Sequence, residues 1–154
     1  MKNKIISSNE PTISIGTASK LLGLSTSTLR MYENEGLMVI YKTPKNRRLY
    51  SPKDLEWAEQ IQRLIKKEKM NIAGIKHLLA LIPCWKIKRC SEEPKSKCKA
   101  YFSSDLPCWV IKTAKNPNQK RRCRNCEIYL NAQICDNLKL LLKQYSLKET
   151  PQIH

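Results

Sequence analysis

Along the first half of the chain, apolar residues recur at helical spacing around one short alternating stretch. Ile13-Ser14-Ile15 alternates as a strand does, and Ala18, Leu21 and Leu22 then share one face of a helix that Thr17 can cap and Gly23 can stop. Ser25 follows the Gly23-Leu24 break, where its hydroxyl can accept from an orphan amide of the next turn, so a second helix is predicted from Thr26 to Glu35. Gly36 ends it. That helix is too short to stand alone in water and has to lean on neighbours through Leu29. Val39-Ile40-Tyr41 and Arg47-Arg48-Leu49-Tyr50 have strand-forming composition, and Thr43-Pro44-Lys45-Asn46 between them is turn chemistry. Ser51-Pro52-Lys53-Asp54 is a helix start, and Leu55, Ala58, Ile61 or Gln62, and Ile65 carry that helix's core face. Asn71 caps another, with Ile72, Ile75, Leu79 and Ile82 inward. Trp57 is expected in the core and His77 on the solvent side.

The polar positions between these stripes carry the functional content. Around Leu29 the short helix shows Thr26, Ser27, Thr28 and Arg30, hydrogen-bonding groups and a guanidinium of the kind that read base edges and hold phosphate in a major groove. From Lys42 to Lys53 there are five basic residues and no acid. Taken alone, five such charges are a solvated run. On a hairpin beside a polar-faced helix they become a phosphate grip, and the two helices before the hairpin read as a helix-turn-helix.

At these residues the chain resembles a known family. TLRMYENEGL, then RRLYS and DL, is similar to the DNA-binding domain of the MerR family of transcriptional regulators, in order from Ile13 to about Ile82, and NIAGIKHLL is similar to its glutamine-synthetase repressor branch. The resemblance implies a winged helix-turn-helix with Thr26, Ser27, Thr28 and Arg30 in the major groove. Tyr32, Lys42, Lys45, Arg47, Arg48 and Tyr50 would hold phosphates. Many members have two adjacent tyrosines where this chain has Met31-Tyr32.

Past Pro83 the pattern changes. PCWKIKRC, from Pro83 to Cys90, is echoed by PCWVIK from Pro107 to Lys112, which suggests two similar half-sites about one centre. Cysteines stand at Cys84, Cys90, Cys98, Cys108, Cys123, Cys126 and Cys135, and the first six fall within 43 residues. Large aliphatics are few from Pro83 to Cys126, while ordering a chain costs roughly 1–2 kcal/mol per residue. A thiolate-bound metal would offset much of that, on the order of 10 kcal/mol for structural zinc. Only Cys123-Arg124-Asn125-Cys126 has the close chelating form, and zinc or an iron-sulfur cluster would use four of the six. The order of cysteines and tryptophans is similar to double Cys-Trp segments attached to some bacterial sensors and regulators, a resemblance that fixes neither metal nor role. Cys135 is read as a small buried apolar group.

Beyond Glu127, Leu130, Ile134, Leu138, Leu141 and Tyr145 recur at steps of four, four, three and four, a helical seam close to a heptad. Pairing with a second copy is the reading adopted for it; packing back on its own chain is the other. Composition then sets bounds. The chain has 154 residues and a net charge of +16. Residues 1–82 carry 14 basic and 7 acidic side chains, and residues 83–154 carry 15 and 6, so a polyanion could touch either half. With no signal peptide or long apolar run, the cytoplasm is expected, where seven cysteines favour metal or redox chemistry over disulfides. Neither a nucleophile-base pair nor a phosphate loop stands out, so an enzyme is not expected.

The expected architecture is mainly α. A disordered leader (1–12) precedes a winged helix-turn-helix domain (13–82), a cysteine-rich metal or cluster module (83–126), a C-terminal helix that forms a homodimer (127–147) and a disordered tail (148–154). The expected function is that of a transcription regulator bound to double-stranded DNA, with RNA polymerase a further candidate partner and zinc or an iron-sulfur cluster in the module. Two alternatives are a metal-stabilised nucleic-acid-binding protein gripping through Lys120, Arg121, Arg122 and Arg124, and a redox partner protein.

Overall fold

Short hydroxyl side chains start the first helices of the computed structural model, which describes residues 9–88 and 92–132 together with Lys143. Strand β1 (Ile13–Ser14) runs directly into α1 (Ile15–Leu22). Ser14, and not Thr17, is the cap: its hydroxyl accepts from the Thr17 amide at 3.2 Å. Gly23 closes α1 at φ 63°, a conformation that side-chain-bearing residues seldom adopt. After this turn Ser25 caps α2 (Thr26–Asn34) through the Thr28 amide at 3.0 Å, as the Gly23-Leu24-Ser25 sequence predicts.

Two short strands form the hairpin. β2 (Tyr41–Lys42) and β3 (Arg48–Tyr50) pair antiparallel, with Tyr41 opposite Leu49 and Lys42 opposite Arg48, and β1 joins on the far side of β3. Val39 and Ile40 do not extend the ladder. They are buried, 6% and 3% exposed, and anchor the hairpin in the core with Leu37 and Met38.

Ser51 then starts α3 (Pro52–Lys66) with a reciprocal cap. Its hydroxyl accepts from the Asp54 amide at 3.2 Å, and the Asp54 carboxylate accepts from the Ser51 amide at 2.7 Å. Both residues are fully buried, so these bonds supply partners that water cannot reach. Ala18, Leu29, Trp57, Ala58 and Ile61 close the core, with α1 packed on α2, α3 and the sheet. The Trp57 indole N–H donates to the Leu37 carbonyl at 2.8 Å, tying α3 to the segment that leaves α2.

The chain divides into two compact units, Met1–Ile75 and Lys76–His154, and the division falls inside α4 (Ile72–Ala80). Asn71 caps α4 as expected, accepting from the Gly74 amide at 2.7 Å.

The second unit is a chain of short helices: α5 (Cys84–Ile87), α6 (Glu92–Lys97), α7 (Lys99–Phe102), α8 (Cys108–Lys115), a 3-10 turn (Pro117–Gln119), α9 (Lys120–Arg124) and α10 (Glu127–Ala132). Pro83 and Pro107 are the residues immediately before α5 and α8, so both Pro-Cys-Trp triplets open a helix with the cysteine at its first position. Their tryptophans differ in environment. Trp109 is buried edge-on to Tyr129, centroids 5.2 Å apart, while the half-buried Trp85 meets Tyr101 in the same way. The leader to residue 8, Cys90, Cys135 and most of the expected C-terminal helix and tail lie outside the described residues; within the expected helix the structure describes α10 and Lys143.

Candidate nucleic-acid interface and cysteine cluster

The exposed side of α2 and the tip of the hairpin belong to the same unit. Ser27 and Arg30 are exposed, and Thr26 and Thr28 are half-buried. The Thr28 hydroxyl lies 2.9 Å from the Ser25 hydroxyl, so part of its hydrogen-bonding capacity is already spent on the cap. On the hairpin Lys45 and Arg47 are exposed beside the turn that Asn46 closes at φ 61°. That turn is fixed internally, by the Asn46 amide to the Thr43 carbonyl at 2.8 Å and the Arg47 amide to the Thr43 hydroxyl at 3.1 Å.

Lys42 and Arg48 are differently placed. Both reach back to Glu33 on α2: Lys42 Nζ lies 2.8 Å from one carboxylate oxygen, and Arg48 Nε donates to the other. Glu33 is 6% exposed at its side chain, so one carboxylate ties the helix to both strands of the hairpin. Burial works against its ionisation, but hydrogen bonds from Lys42 and Arg48 together with their charges outweigh burial and hold the carboxyl below the usual range. The reading from sequence missed Glu33. Its only signal was an acid on a helix followed by an all-basic hairpin, a pattern that calls for a counter-charge.

Tyr32 and Tyr50 correct the expectation that they hold phosphates. They are 2% and 0% exposed, which places both rings in the core of the unit where no phosphate can reach them. Burial, reinforced by the Glu33 charge, pushes the Tyr50 hydroxyl up to about 12, and burial raises Tyr32 as well. Of the ten residues expected at DNA, Ser27, Arg30, Lys45 and Arg47 are fully presented. Thr26 and Thr28 are partly so, Lys42 and Arg48 are shared with Glu33, and two are internal.

Residues 13–82, which hold all of this apparatus, match the family described as MerR HTH family regulatory protein. This part of the chain is therefore a MerR-family helix-turn-helix domain. Over 76 residues the chain is also 37% identical to a protein named as heat shock protein HspR in Streptomyces coelicolor. The match covers 49% of this chain and 50% of the relative, so the chain spans about half the length of the relative it matches.

The cysteines lie in the second unit. Cys108 at the start of α8 has Cys84, Cys126 and Cys123 as electrostatic neighbours, which brings residues from α5, α8, α9 and the turn after α9 into one neighbourhood. Their elements pack accordingly, α8 on α9, and α10 on both α9 and α5. Within the CxxC stretch the Cys126 amide donates to the Cys123 carbonyl at 3.1 Å. Burial first, then the Cys84 charge, push the Cys108 thiol up to about 12, with Lys112 opposing. Burial also raises the Cys123 thiol, against Lys112 and Lys88. Cys98 stands at the cap of α7.

Four neighbouring thiols with lysines at hand are the right donor chemistry for zinc or an iron-sulfur cluster. Among the described residues, however, no three His, Cys, Asp or Glu side chains are already gathered around a metal position. His77 is turned to other work, its Nδ1 lying 2.9 Å from the Ser104 carbonyl oxygen. No helix among the described residues is long and apolar enough to cross a membrane.

Proposed function

We propose that the protein is a sequence-specific DNA-binding regulator of transcription that works as a cytoplasmic homodimer. In this reading α2 enters the major groove, with Ser27 and Arg30 at base edges and Thr26 and Thr28 beside them. Lys45 and Arg47 hold the flanking phosphates, and Lys42 and Arg48 set the hairpin against α2 through Glu33. A single observation carries it: an exposed polar helix face and an exposed basic hairpin tip are locked together by a buried carboxylate within a MerR-family domain. RNA polymerase is the further partner that a promoter-bound regulator would meet. The name of the HspR relative makes heat-induced promoters the first to examine.

Sequencing the genomic fragments retained by the full chain at moderate ionic strength tests the reading. A reproducible set of fragments is expected, with Arg30→Ala changing the set and Arg47→Ala weakening all of it. Retention no better than that of random competitor refutes it.

A second reading concerns the cysteines. The chain binds zinc or an iron-sulfur cluster with ligands drawn from Cys84, Cys90, Cys98, Cys108, Cys123 and Cys126. The shared neighbourhood of Cys84, Cys108, Cys123 and Cys126 supports it, since either group takes four thiolates. When bound, the group would cross-link helices that have little apolar surface of their own; a cluster would add sensitivity to oxidants. Metal analysis and visible absorbance of protein purified without oxygen decide the matter. A colourless zinc protein makes the site structural, a bleachable brown one makes it a sensor, and a metal-free chain ends the reading.

A further inference from the structure

The geometry points to a second DNA-contact surface in the second unit, a basic strip of Lys112, Lys115, Lys120, Arg121 and Arg122 that lies along the phosphate backbone of duplex DNA. It rests on the reading that residues 13–82 bring the chain to DNA.

In sequence these residues form two groups, one near the end of α8 and one in α9. Folding brings the two groups onto adjoining elements, because α8, the 3-10 turn and α9 all pack on one another. Lys112 and Lys115 are three residues apart on α8 and so share a face. All five residues are exposed. Arg124, which sequence alone would add to the group, is 3% exposed and does not belong to it.

No acid occurs between Asp105 and Glu127, and among the described residues none of the five is in an ion pair. Gathering like charges opposes folding, and a surface built only for solubility intersperses both signs. A polyanion removes that repulsion and releases condensed counterions as it does so.

Three features favour a duplex backbone over other polyanions. Trp109 and Tyr129 are 2% and 1% exposed, so these rings of the α8–α10 region are unavailable as a platform for stacked single-stranded bases. Trp109 is also the large apolar anchor of α8, and with it turned inward neither α8 nor α9 exposes a large apolar side chain of the kind a membrane-surface helix needs; the exposed Phe102 and Leu106 precede α8. Finally, attachment to a DNA-binding domain raises the local concentration of duplex around the strip. Contact of this kind adds affinity without reading sequence.

The test is the salt dependence of binding by the full chain to one retained fragment. Lys120→Gln/Arg121→Gln/Arg122→Gln together should lower the slope of log affinity against log salt by about 2 to 3, at about 0.9 for each phosphate released, and leave the order of preference among fragments unchanged. Lys112→Gln/Lys115→Gln, on a different helix, should lower it by about 1 to 2, which guards against misfolding of either variant. Arg47→Ala runs in parallel. If Arg47→Ala lowers the slope and both strip variants leave it unchanged, the strip is not a DNA contact and the domain reading survives. If wild type prefers no fragment and Arg47→Ala changes nothing, the domain reading itself has failed. Loss of binding to single-stranded RNA or to phosphatidylglycerol vesicles in the strip variants, with the duplex slope intact, would also overturn the proposal.

Discussion

Replacing Glu33 by glutamine tests how α2 and the hairpin are held together. The substitution keeps the shape of the side chain and removes the charge that faces Lys42 and Arg48. Breaking a fully buried pair costs about 3–5 kcal/mol, and an exposed pair is worth about 0.2–1 kcal/mol. Here the carboxylate is 6% exposed, but the lysine and arginine are 30% and 22% exposed and partly screened by water. About 1 kcal/mol for each pair, or about 2 kcal/mol in all, is the magnitude expected. Over a domain of this size that lowers the melting midpoint by roughly 8–15 °C.

The pH dependence provides a second signature. Because the folded carboxyl is held below its unfolded value of 4.5, its stabilisation is fully present above that value and is lost as pH falls through the lower folded value. Wild type should therefore lose stability in the acid range below 4.5, and Glu33→Gln should lose less there. Urea unfolding followed by circular dichroism at pH 7 and across that acid range measures both effects. A variant with the wild-type midpoint at pH 7 and the same acid limb would show that the contact holds nothing, and the placement of Lys42 and Arg48 would need another cause.

Gly16 and Gly23 make a matched pair, since a methyl group at either would meet nothing within 4 Å. Gly16→Ala, inside α1, should stabilise by about 0.4–1 kcal/mol, whereas Gly23→Ala at φ 63° should destabilise by about 1–2 kcal/mol, both read from urea midpoints. Trp57→Phe leaves the buried Leu37 carbonyl without its donor and should cost about 1–3 kcal/mol in the same assay. Ser51→Ala removes one half of the reciprocal cap of α3 and should cost about 1–2 kcal/mol; a loss below about 0.3 kcal/mol would mean that Asp54 alone caps the helix.

Where the controlling interaction is local, sequence was a sufficient guide. Ser25, Ser51 and Asn71 start helices because each hydroxyl or amide reaches an amide three residues on, and Gly23 stops one because φ must turn positive. Ser14 and Thr17 are hydroxyl residues one turn apart, so sequence alone does not separate them as caps, and in the fold they bond to each other at 3.0 Å. Val39 and Ile40 have the composition of a strand but were needed as core anchors, a choice that depends on what packs over them. Burial likewise decides the roles of Tyr32 and Tyr50, since a tyrosine beside basic residues reads equally well as a phosphate donor or a core ring. Glu33 reaches Arg48 across fifteen residues, beyond any local pattern. The cysteines announced themselves by number, but which four share a neighbourhood depends on how four short helices pack.

The Trp57 bond to Leu37, the Ser51–Asp54 cap and the double ion pair of Glu33 join helix, hairpin and supporting helix at three separate points. A part fastened in this way has little freedom to retune its own grip. Any signal arriving from elsewhere in the molecule has to shift or turn this entire unit as one piece, so in the proposed homodimer control would be exercised through the spacing between the two units and not through the fingers of either.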